Sequence, residues 1–404
     1  MSHNNRIYAD DSAATDAFGR LRVSEPVTIF DSKQIFDTQP LVWDDAEQSG
    51  AGTATAYDND RASTILTVAD ETAGNRIRQT FQRFNYQPGK SQQVLMTGIM
   101  GTGVAGITTR IGAYDAENGL FFEQDGVTLN VVTRSFVTGS AVDVAVAQAD
   151  WNMDKMDGTG ASGRTLDMSM AQIFCIDYEW LGVGRVRFGF YISGKVIYCH
   201  EIENANSKTS VYMSSPNLPL RYEIDNDATG PEHDLEHICG TVVSEGGQQA
   251  IGLPRYASTD GTHVDANVIE TIYAVVGLRL KAANLACRVD MTEVAMLAET
   301  NASFEWILKL NPTVAGTFTY SDLDANACVQ VARGALANTV TSGTDLAGGW
   351  SSQFGTRSIQ TALESSAIKL GSAIDGTRDE IVLCVRPLAV NLDIQGSLGF
   401  REIQ

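Results

Sequence analysis

The chain has 404 residues, an apolar fraction of 43% and a formal net charge of −20 at pH 7. This length exceeds one ordinary domain, and the apolar fraction is sufficient for packed cores, so a chain that is disordered throughout is excluded. The negative charge argues against nucleic acid as a partner, and no apolar stretch approaches the roughly 20 residues that cross a bilayer, so we also expect no membrane association.

Residues 1–45 are polar and hold too few apolar side chains for a core, a composition typical of an extended docking arm. The chain begins with MSHNNRIYADD, which lacks the charged and then apolar pattern of a signal peptide. We therefore expect synthesis in the cytoplasm.

The arm contains one compact motif, DAFGRLRVSEP, at residues 16–26. Gly19 permits a tight bend, and Pro26 ends the strand that follows. Leu21 and Val23 share one face of that strand, and the intervening arginines share the other. The motif predicts a short edge strand.

Residues 46–258 show period-two alternation in short segments separated by Gly, Asn and Asp, which predicts strands joined by turns. The segment Phe188–Ile202 is predicted as a hairpin, because Ser193-Gly194 is a two-residue connection of the type that closes tight hairpins. We interpret this region as a large antiparallel β-sandwich, of jelly-roll or concanavalin-like type.

Residues 259–404 carry strands of their own, among them Phe304–Leu310, and predict a second, smaller β domain. Residues 359–370 are the best helix candidate because their apolar positions follow a 3.6-residue period. The overall prediction is an all-β protein with an N-terminal arm.

The motif at residues 16–26, followed by Phe30-Asp31, resembles an N-terminal motif of structural proteins of tailed bacteriophages. The segments Leu278–Lys281 and Asn301–Thr313 resemble the same family more weakly. The resemblance implies a place in a virion (tail, baseplate, fibre or capsid exterior), assembly in the host cytoplasm and other virion proteins as partners. The residues expected to dock on such a partner are Phe18, Arg20, Leu21, Arg22 and Val23.

The middle region resembles the concanavalin-like sandwiches of lectins and β-glucanases through the hairpin Phe188–Ile202 and the preceding strand. Glucanases of that fold carry Glu-x-Asp-x-Glu on one strand, and this chain has Cys175, Asp177 and Glu179. Retaining hydrolysis requires two carboxyl groups about 5–5.5 Å apart, which a thiol at the first position does not supply. We expect no glycosidase activity. The alternative function is a carbohydrate-binding module that recognises host-surface glycans, and a glycan depolymerase is a less favoured third alternative.

Two further residues with aromatic rings, Trp151 and Trp350, lie in polar surroundings. Together with Asp177 and Glu179 they are the candidate glycan-binding residues, although aromatic packing at a domain or subunit boundary is the preferred explanation for both tryptophans.

The sequence predicts no metal and no cofactor. His233, His237 and Cys239 have zinc-like ligand types but lack a fourth ligand. Three pairs of acidic residues are better explained as turn residues than as calcium ligands: Asp58 with Asp60, Asp154 with Asp157, and Asp225 with Asp227.

The six cysteines are widely spaced, and Cys175, Cys199 and Cys384 lie in apolar runs, so we expect buried free thiols. Nucleophile elbows, phosphate loops and zinc-protease motifs are missing from the sequence, which favours a structural protein over an enzyme. Small sheets would leave edges and apolar faces in need of cover. We therefore expect a homo-oligomer, with a trimer favoured.

Overall fold

The computed structural model describes residues 25–249, 251–351, 358–363 and 369–403, with only the backbone described at 358–362. These residues form strands and turns, with two short 3₁₀ turns at Gln148–Asp150 and Ala282–Asn284 and no α-helix. Within the same ranges, no helix could span a membrane. The all-β prediction is confirmed.

Fifteen strands build the first of two sandwiches, and all their pairings are antiparallel. They are β1 (Val27–Lys33), β2 (Trp43–Gly50), β3 (Thr53–Asp58), β4 (Ser63–Val68), β5 (Gly74–Thr80), β6 (Gln92–Ile99), β7 (Ile107–Tyr114), β8 (Gly119–Asp125), β9 (Thr128–Ser135), β10 (Val142–Ala147), β11 (Gln172–Tyr178), β12 (Val186–Ile192), β13 (Lys195–Ile202), β14 (Leu220–Asn226) and β15 (His233–Ser244).

The first sandwich consists of an eight-stranded and a seven-stranded sheet. The eight-stranded sheet has the order β13-β12-β11-β6-β15-β4-β3, and β1 also pairs with β15. The seven-stranded sheet has the order β10-β9-β8-β7-β14-β5-β2. Alternate residues of both sheets point inward, which is why one continuous core forms between them.

Aromatic rings dominate this core. Phe122 of the seven-stranded sheet contacts Phe174, Phe188 and Phe190 of the eight-stranded sheet, with ring centroids 4.9–5.4 Å apart. Contacts of this kind add to the stabilisation that comes from removing large apolar surfaces from water.

The hairpin predicted at Phe188–Ile202 is confirmed: β12 and β13 are joined by Ser193 and Gly194. Both connecting residues have positive φ, 53° and 76°, as a two-residue type I′ turn requires. The turn therefore sets the register of the two strands.

Thirteen strands follow in the remainder of the chain. They are β16 (Leu253–Ser258), β17 (Val264–Ala266), β18 (Tyr273–Leu280), β19 (Arg288–Ala298), β20 (Phe304–Leu310), β21 (Thr313–Val314), β22 (Ser321–Asp322), β23 (Val329–Arg333), β24 (Val340–Thr341), β25 (Thr344–Ser351), β26 (Ser358–Ala362), β27 (Glu380–Pro387) and β28 (Leu392–Ile403).

The second sandwich packs a sheet of order β16-β28-β19-β26, with β17 also on β28, against a sheet of order β22-β23-β18-β27-β20-β25. A small ladder joins β21 and β24. The core of the second sandwich is mostly aliphatic: Leu278 and Leu383 from one sheet meet Val294, Leu398 and residues around them from the other.

Two expectations need correction. The arm predicted at 1–45 includes β1, which pairs with β15 and brings Phe30 against Trp43, so residues 27–33 belong to the first sandwich. The docking residues 18–23 of the arm lie outside the described residues. At the other boundary, β16 pairs with β28 and belongs to the second sandwich, although it precedes residue 259.

The helix predicted at 359–370 is wrong for the described part of that segment. Residues 358–362 form β26, which pairs with β19 from Glu293 to Leu297. Alternation and helical periodicity overlap in so short a segment, and pairing with a long neighbouring strand decides in favour of the extended form.

The two sandwiches contact each other directly. The amide of Ser372 donates to the Phe81 carbonyl at 3.0 Å, and Arg83 Nη1 donates to the Ser372 hydroxyl at 2.8 Å. Asn217 Nδ2 donates to the Ala286 carbonyl at 2.9 Å. These contacts join loops of one sandwich to loops of the other.

Candidate functional site

The strand that resembles a glucanase strand carries no accessible carboxylate pair. Asp177 is only 4% exposed and pairs with Arg187. Its oxygens also accept hydrogen bonds from Ser91 Oγ at 2.7 Å and Tyr198 Oη at 2.9 Å. A carboxylate whose oxygens are all engaged is not available to a substrate, so Asp177 is withdrawn as a glycan-binding candidate.

The flanking positions do not complete a catalytic set. Burial raises the pKa of the Cys175 thiol to about 12, with a further contribution from Asp177, so the thiol stays protonated. Glu179 is exposed but lies beyond the end of β11, where its carboxylate accepts from the Arg185 amide at 3.2 Å. The three alternating positions therefore do not provide the set of carboxylates in one cleft that a glucanase has.

The two candidate tryptophans have different environments. Trp151 is buried in the first core, and its indole nitrogen donates to the Val146 carbonyl at 3.1 Å, so its ring cannot stack on a sugar. Trp350 is 74% exposed on β25, at the edge of a sheet in the second sandwich. Only Trp350 presents an accessible ring.

The residues with zinc-like ligand types, His237 and Cys239 among them, are also separated. A bulge in β15 between His237 and Cys239 turns these side chains to opposite faces of the sheet. His237 stacks on Tyr222 inside the core, whereas the Cys239 thiol donates to Thr97 Oγ1 at 3.3 Å. Simple alternation along the strand would place both residues on one face, and the bulge prevents this.

Asp58, Asp157 and Asp227 act as turn residues. Each carboxylate accepts a hydrogen bond from the backbone amide two residues further on, at 2.8–3.0 Å. Hydrogen bonds of this kind define Asx turns. The interpretation of these acidic pairs as turn residues is confirmed for these three positions.

The structure reveals a polar cleft that the sequence did not indicate. It lies on the outer face of the seven-stranded sheet and has a volume of about 500 Å³. We call it the outer-face cleft. It is lined by Gln48, Ser49, Asn75, Ile77, Ala116, Arg134, Ala141, Asp143, Arg221, Glu223 and Asp225.

Alternation along β14 explains why this cleft is polar. Leu220, Tyr222 and Ile224 point into the core, so the residues between them point outward. The register of β14 with β7 places Glu223 directly opposite Arg110. Outward charges on neighbouring strands thus meet in one cluster.

Glu223 is the centre of that cluster. Its carboxylate accepts from Arg110 Nη1 at 2.8 Å, Asn75 Nδ2 at 3.2 Å and Tyr114 Oη at 3.2 Å, and it lies 3.5 Å from Arg221 Nη1. Burial alone would raise the pKa of Glu223, but the neighbouring guanidinium groups outweigh it and hold that pKa below its usual value. Glu223 is therefore ionised and is not a general acid.

The arginines around Glu223 are themselves paired. Arg110 Nε contacts Glu123 at 2.7 Å, and Arg134 forms a two-pronged ion pair with Asp143 at 2.8 Å. Beneath them, the Tyr114 and Phe121 rings are fully buried. The cleft thus offers oriented donors and acceptors, with each arginine beside a carboxylate, and no exposed ring.

No family model matches the sequence, and the search among curated proteins finds no match. Several solved structures are similar to about half of the chain. The Emp47p carbohydrate recognition domain has a TM-score of 0.34 at 13% identity, covering 56% of this chain and 98% of that domain. The Bacillus licheniformis β-glucanase has a TM-score of 0.33 at 9% identity, covering 53% and 96%.

A third similar structure is the CBM2 module of the Lactobacillus casei BL23 phage J-1 evolved Dit. Its TM-score is 0.36 at 8% identity, covering 56% of this chain and the whole of that module. Similarities at this level do not identify a ligand or an activity for this chain.

Proposed function

We propose that this protein is a structural component of a bacteriophage virion that acts through assembly with other protein chains and not as an enzyme. The resemblance of residues 16–26 to an N-terminal motif of tailed-phage structural proteins supports the virion location. The buried and fully engaged Asp177 supports a role without glycoside hydrolysis. The assembly role rests on the exposed apolar residues at the edges of the sheets.

The strand β10 forms one edge of the seven-stranded sheet, and among the described residues only one of its sides is paired. Val142 and Val144 are 46% and 59% exposed on it, whereas Val146, on the same face, packs against the core. The apolar row therefore continues beyond the cover of the opposite sheet. Exposed apolar strand edges of this kind favour pairing with another chain.

The second sandwich has comparable edges. On the edge strand β16, Leu253 and Tyr256 are 60% and 70% exposed, and Trp350 is exposed on the edge strand β25. Exposed apolar edges on both sandwiches suit a protein with more than one neighbour. They support a homo-oligomer, with a trimer favoured, or a lattice.

Light scattering of the full-length chain at micromolar concentration tests the assembly role. Val144→Lys should lower the average mass, because it places a charge on the uncovered row. Val127→Lys is the matched control, since Val127 is 81% exposed but lies in the turn between β8 and β9. Equal masses for both variants and the wild type would argue against assembly through β10.

Removal of residues 1–24 tests the virion location. We expect the shortened chain to keep its melting temperature, because β1 and both cores remain, and to be lost from assembled particles. Particles that incorporate the shortened chain normally would contradict docking through the segment at 16–26.

The outer-face cleft favours a second candidate function, recognition of a host-surface glycan. Oriented amide, guanidinium and carboxylate groups suit the hydroxyls of a neutral sugar, which both donate and accept hydrogen bonds. A glycan array probed with the wild type and with Asp225→Ala tests this function, because Asp225 lines the cleft. Asp234→Ala, an exposed change on the other sheet, is the control. A wild type that binds no glycan contradicts this candidate.

A further inference from the structure

Two thiols and a carboxylate meet in the second sandwich. Cys287 directly precedes β19, Cys328 directly precedes β23, and Glu402 lies near the end of β28. One ligand atom from each of the three lies within 4.8 Å of the other two. The three residues are buried, with exposures of 8%, 1% and 3%.

Backbone contacts hold this group in place. The Cys328 amide donates to one Glu402 carboxylate oxygen at 2.8 Å, and the Cys287 thiol donates to the Ile403 carbonyl at 3.3 Å. The Cys287 and Cys328 side chains also hydrogen-bond to each other, and this contact, together with burial, raises the pKa of Cys287. The donor atoms are therefore oriented by the sheet.

A cavity of about 380 Å³ between the two sandwiches is lined in part by Cys287 and Cys328. Its opposite wall includes Tyr86, Trp180 and Asn217 of the first sandwich. The cavity gives an ion a path to the two cysteines, beside which Glu402 lies, and leaves room for a water molecule.

We propose that Cys287, Cys328 and Glu402 bind a Zn²⁺ ion, with a water from the cavity as the fourth ligand. Zinc accepts thiolate and carboxylate ligands in a tetrahedral arrangement. Two thiolates disfavour Mg²⁺ and Ca²⁺, which prefer oxygen alone, and the carboxylate disfavours Cu⁺.

The surrounding charge suits this ion. Two thiolates, one carboxylate and Zn²⁺ leave a single negative charge, and Arg255 Nε lies 3.7 Å from the Glu402 carboxylate. Arg255 also pairs with Asp324, which fixes its position. The bound ion would join the end of β28 to the starts of β19 and β23, so it should stabilise the second sandwich, and tighter binding should stabilise it more.

Titration of the reduced, chelator-treated full-length chain with Co²⁺ tests the proposal, since cobalt reports tetrahedral thiolate ligation by its absorption. We expect one equivalent to bind with thiolate-to-cobalt charge-transfer bands, and Zn²⁺ to displace it. Cys328→Ser and Glu402→Gln should each weaken binding by more than about tenfold. Cys384→Ser, a buried thiol in another cluster, should bind as the wild type does.

A second measurement needs no variant. Zn²⁺ should slow alkylation of Cys287 and Cys328 in the wild type, as followed by mass spectrometry of the peptides, and should leave Cys239 unaffected. Cobalt binding without charge-transfer bands, unchanged alkylation of the two thiols, or oxidation of the pair to a disulfide that zinc does not prevent would each overturn the proposal.

Discussion

Arg78 and His237 form a buried polar pair within the first core. Arg78 Nε donates to His237 Nδ1 at 3.1 Å, and the guanidinium also contacts Asp45 and Gln34. The bond to Nδ1 places the histidine proton on Nε2, which has no hydrogen-bond partner among the described residues. Burial, and then the Arg78 charge, hold the pKa of His237 well below 6.5.

This arrangement predicts a loss of stability at mildly acidic pH. Folded His237 stays neutral, whereas the unfolded histidine takes up a proton below pH 6.5, so the unfolded state binds more protons there. The free energy of unfolding should fall by up to about 1.4 kcal/mol per pH unit below that point. His237→Asn keeps an acceptor for Arg78 and removes this titration.

Urea unfolding at pH 7.5 and pH 5.5 measures the effect. The variant should be less stable at both values but should lose less stability between them than the wild type does. His200, whose pKa burial also lowers, and His263, whose pKa the hydrogen bond to Glu299 raises, titrate equally in both proteins. Equal pH dependence in the two proteins would show that His237 contributes nothing.

Glu223 gives a second prediction for single residues. Glu223→Gln removes a buried charge that offsets Arg110 and Arg221, so we expect a loss of about 3–5 kcal/mol in the free energy of unfolding. The control is Asp143→Asn, whose side chain is 38% exposed and pairs with Arg134 nearer the rim. Its expected loss is below about 1 kcal/mol. Similar losses for both variants in urea titrations would contradict a buried, charge-compensated centre.

Among the elements, the hairpin of β12 and β13 was predictable because a local rule fixes it. Ser193 and Gly194 form the two-residue connection on which the prediction rested, and both adopt the positive φ that such a turn requires. The strand Phe304–Leu310 was predictable from its sequence as well, since Phe304, Trp306 and Leu308 occupy alternate positions and are buried on one face. In these segments, local preference and tertiary pairing agree.

The hairpin also yields a test. Asn tolerates positive φ better than Ser, so Ser193→Asn should raise the free energy of unfolding by about 0.5 kcal/mol. Gly194→Ala should lower it by about 1–2 kcal/mol through backbone strain alone, since a Cβ there meets nothing within 4 Å. Thermal unfolding of the two variants should shift in opposite directions, and a shift of the same sign in both would contradict the turn assignment.

The outer-face cleft and the cluster of Cys287, Cys328 and Glu402 were not predictable, because each brings together residues that are far apart in the sequence. Glu223 reaches Arg110 through the register of β14 with β7, and Glu402 reaches Cys287 through the register of β28 with β19. Such registers depend on packing between distant segments. The bulge at Ile238 adds to the difficulty, because one extra residue reverses the face to which His237 points.

At the scale of the whole molecule, charge and apolar edges act in opposite directions. The net charge of −20 makes copies of the chain repel one another, while Val142 and Val144 on β10 favour contact. Salt screens charges over about 8–10 Å at ordinary ionic strength, whereas burial of apolar surface does not depend on charge. Which effect dominates should therefore depend on the salt concentration.

We predict that self-association strengthens as salt rises, the opposite of an interface held by ion pairs. Light scattering of the wild type at micromolar concentration, between low and high NaCl, should show the mass increase from monomer towards trimer. Val144→Lys should reduce the increase, because it adds a charged side chain to the apolar row on β10. A monomeric mass at every salt concentration would contradict self-association, and a mass that falls with salt would indicate an interface of ion pairs in place of the apolar edge.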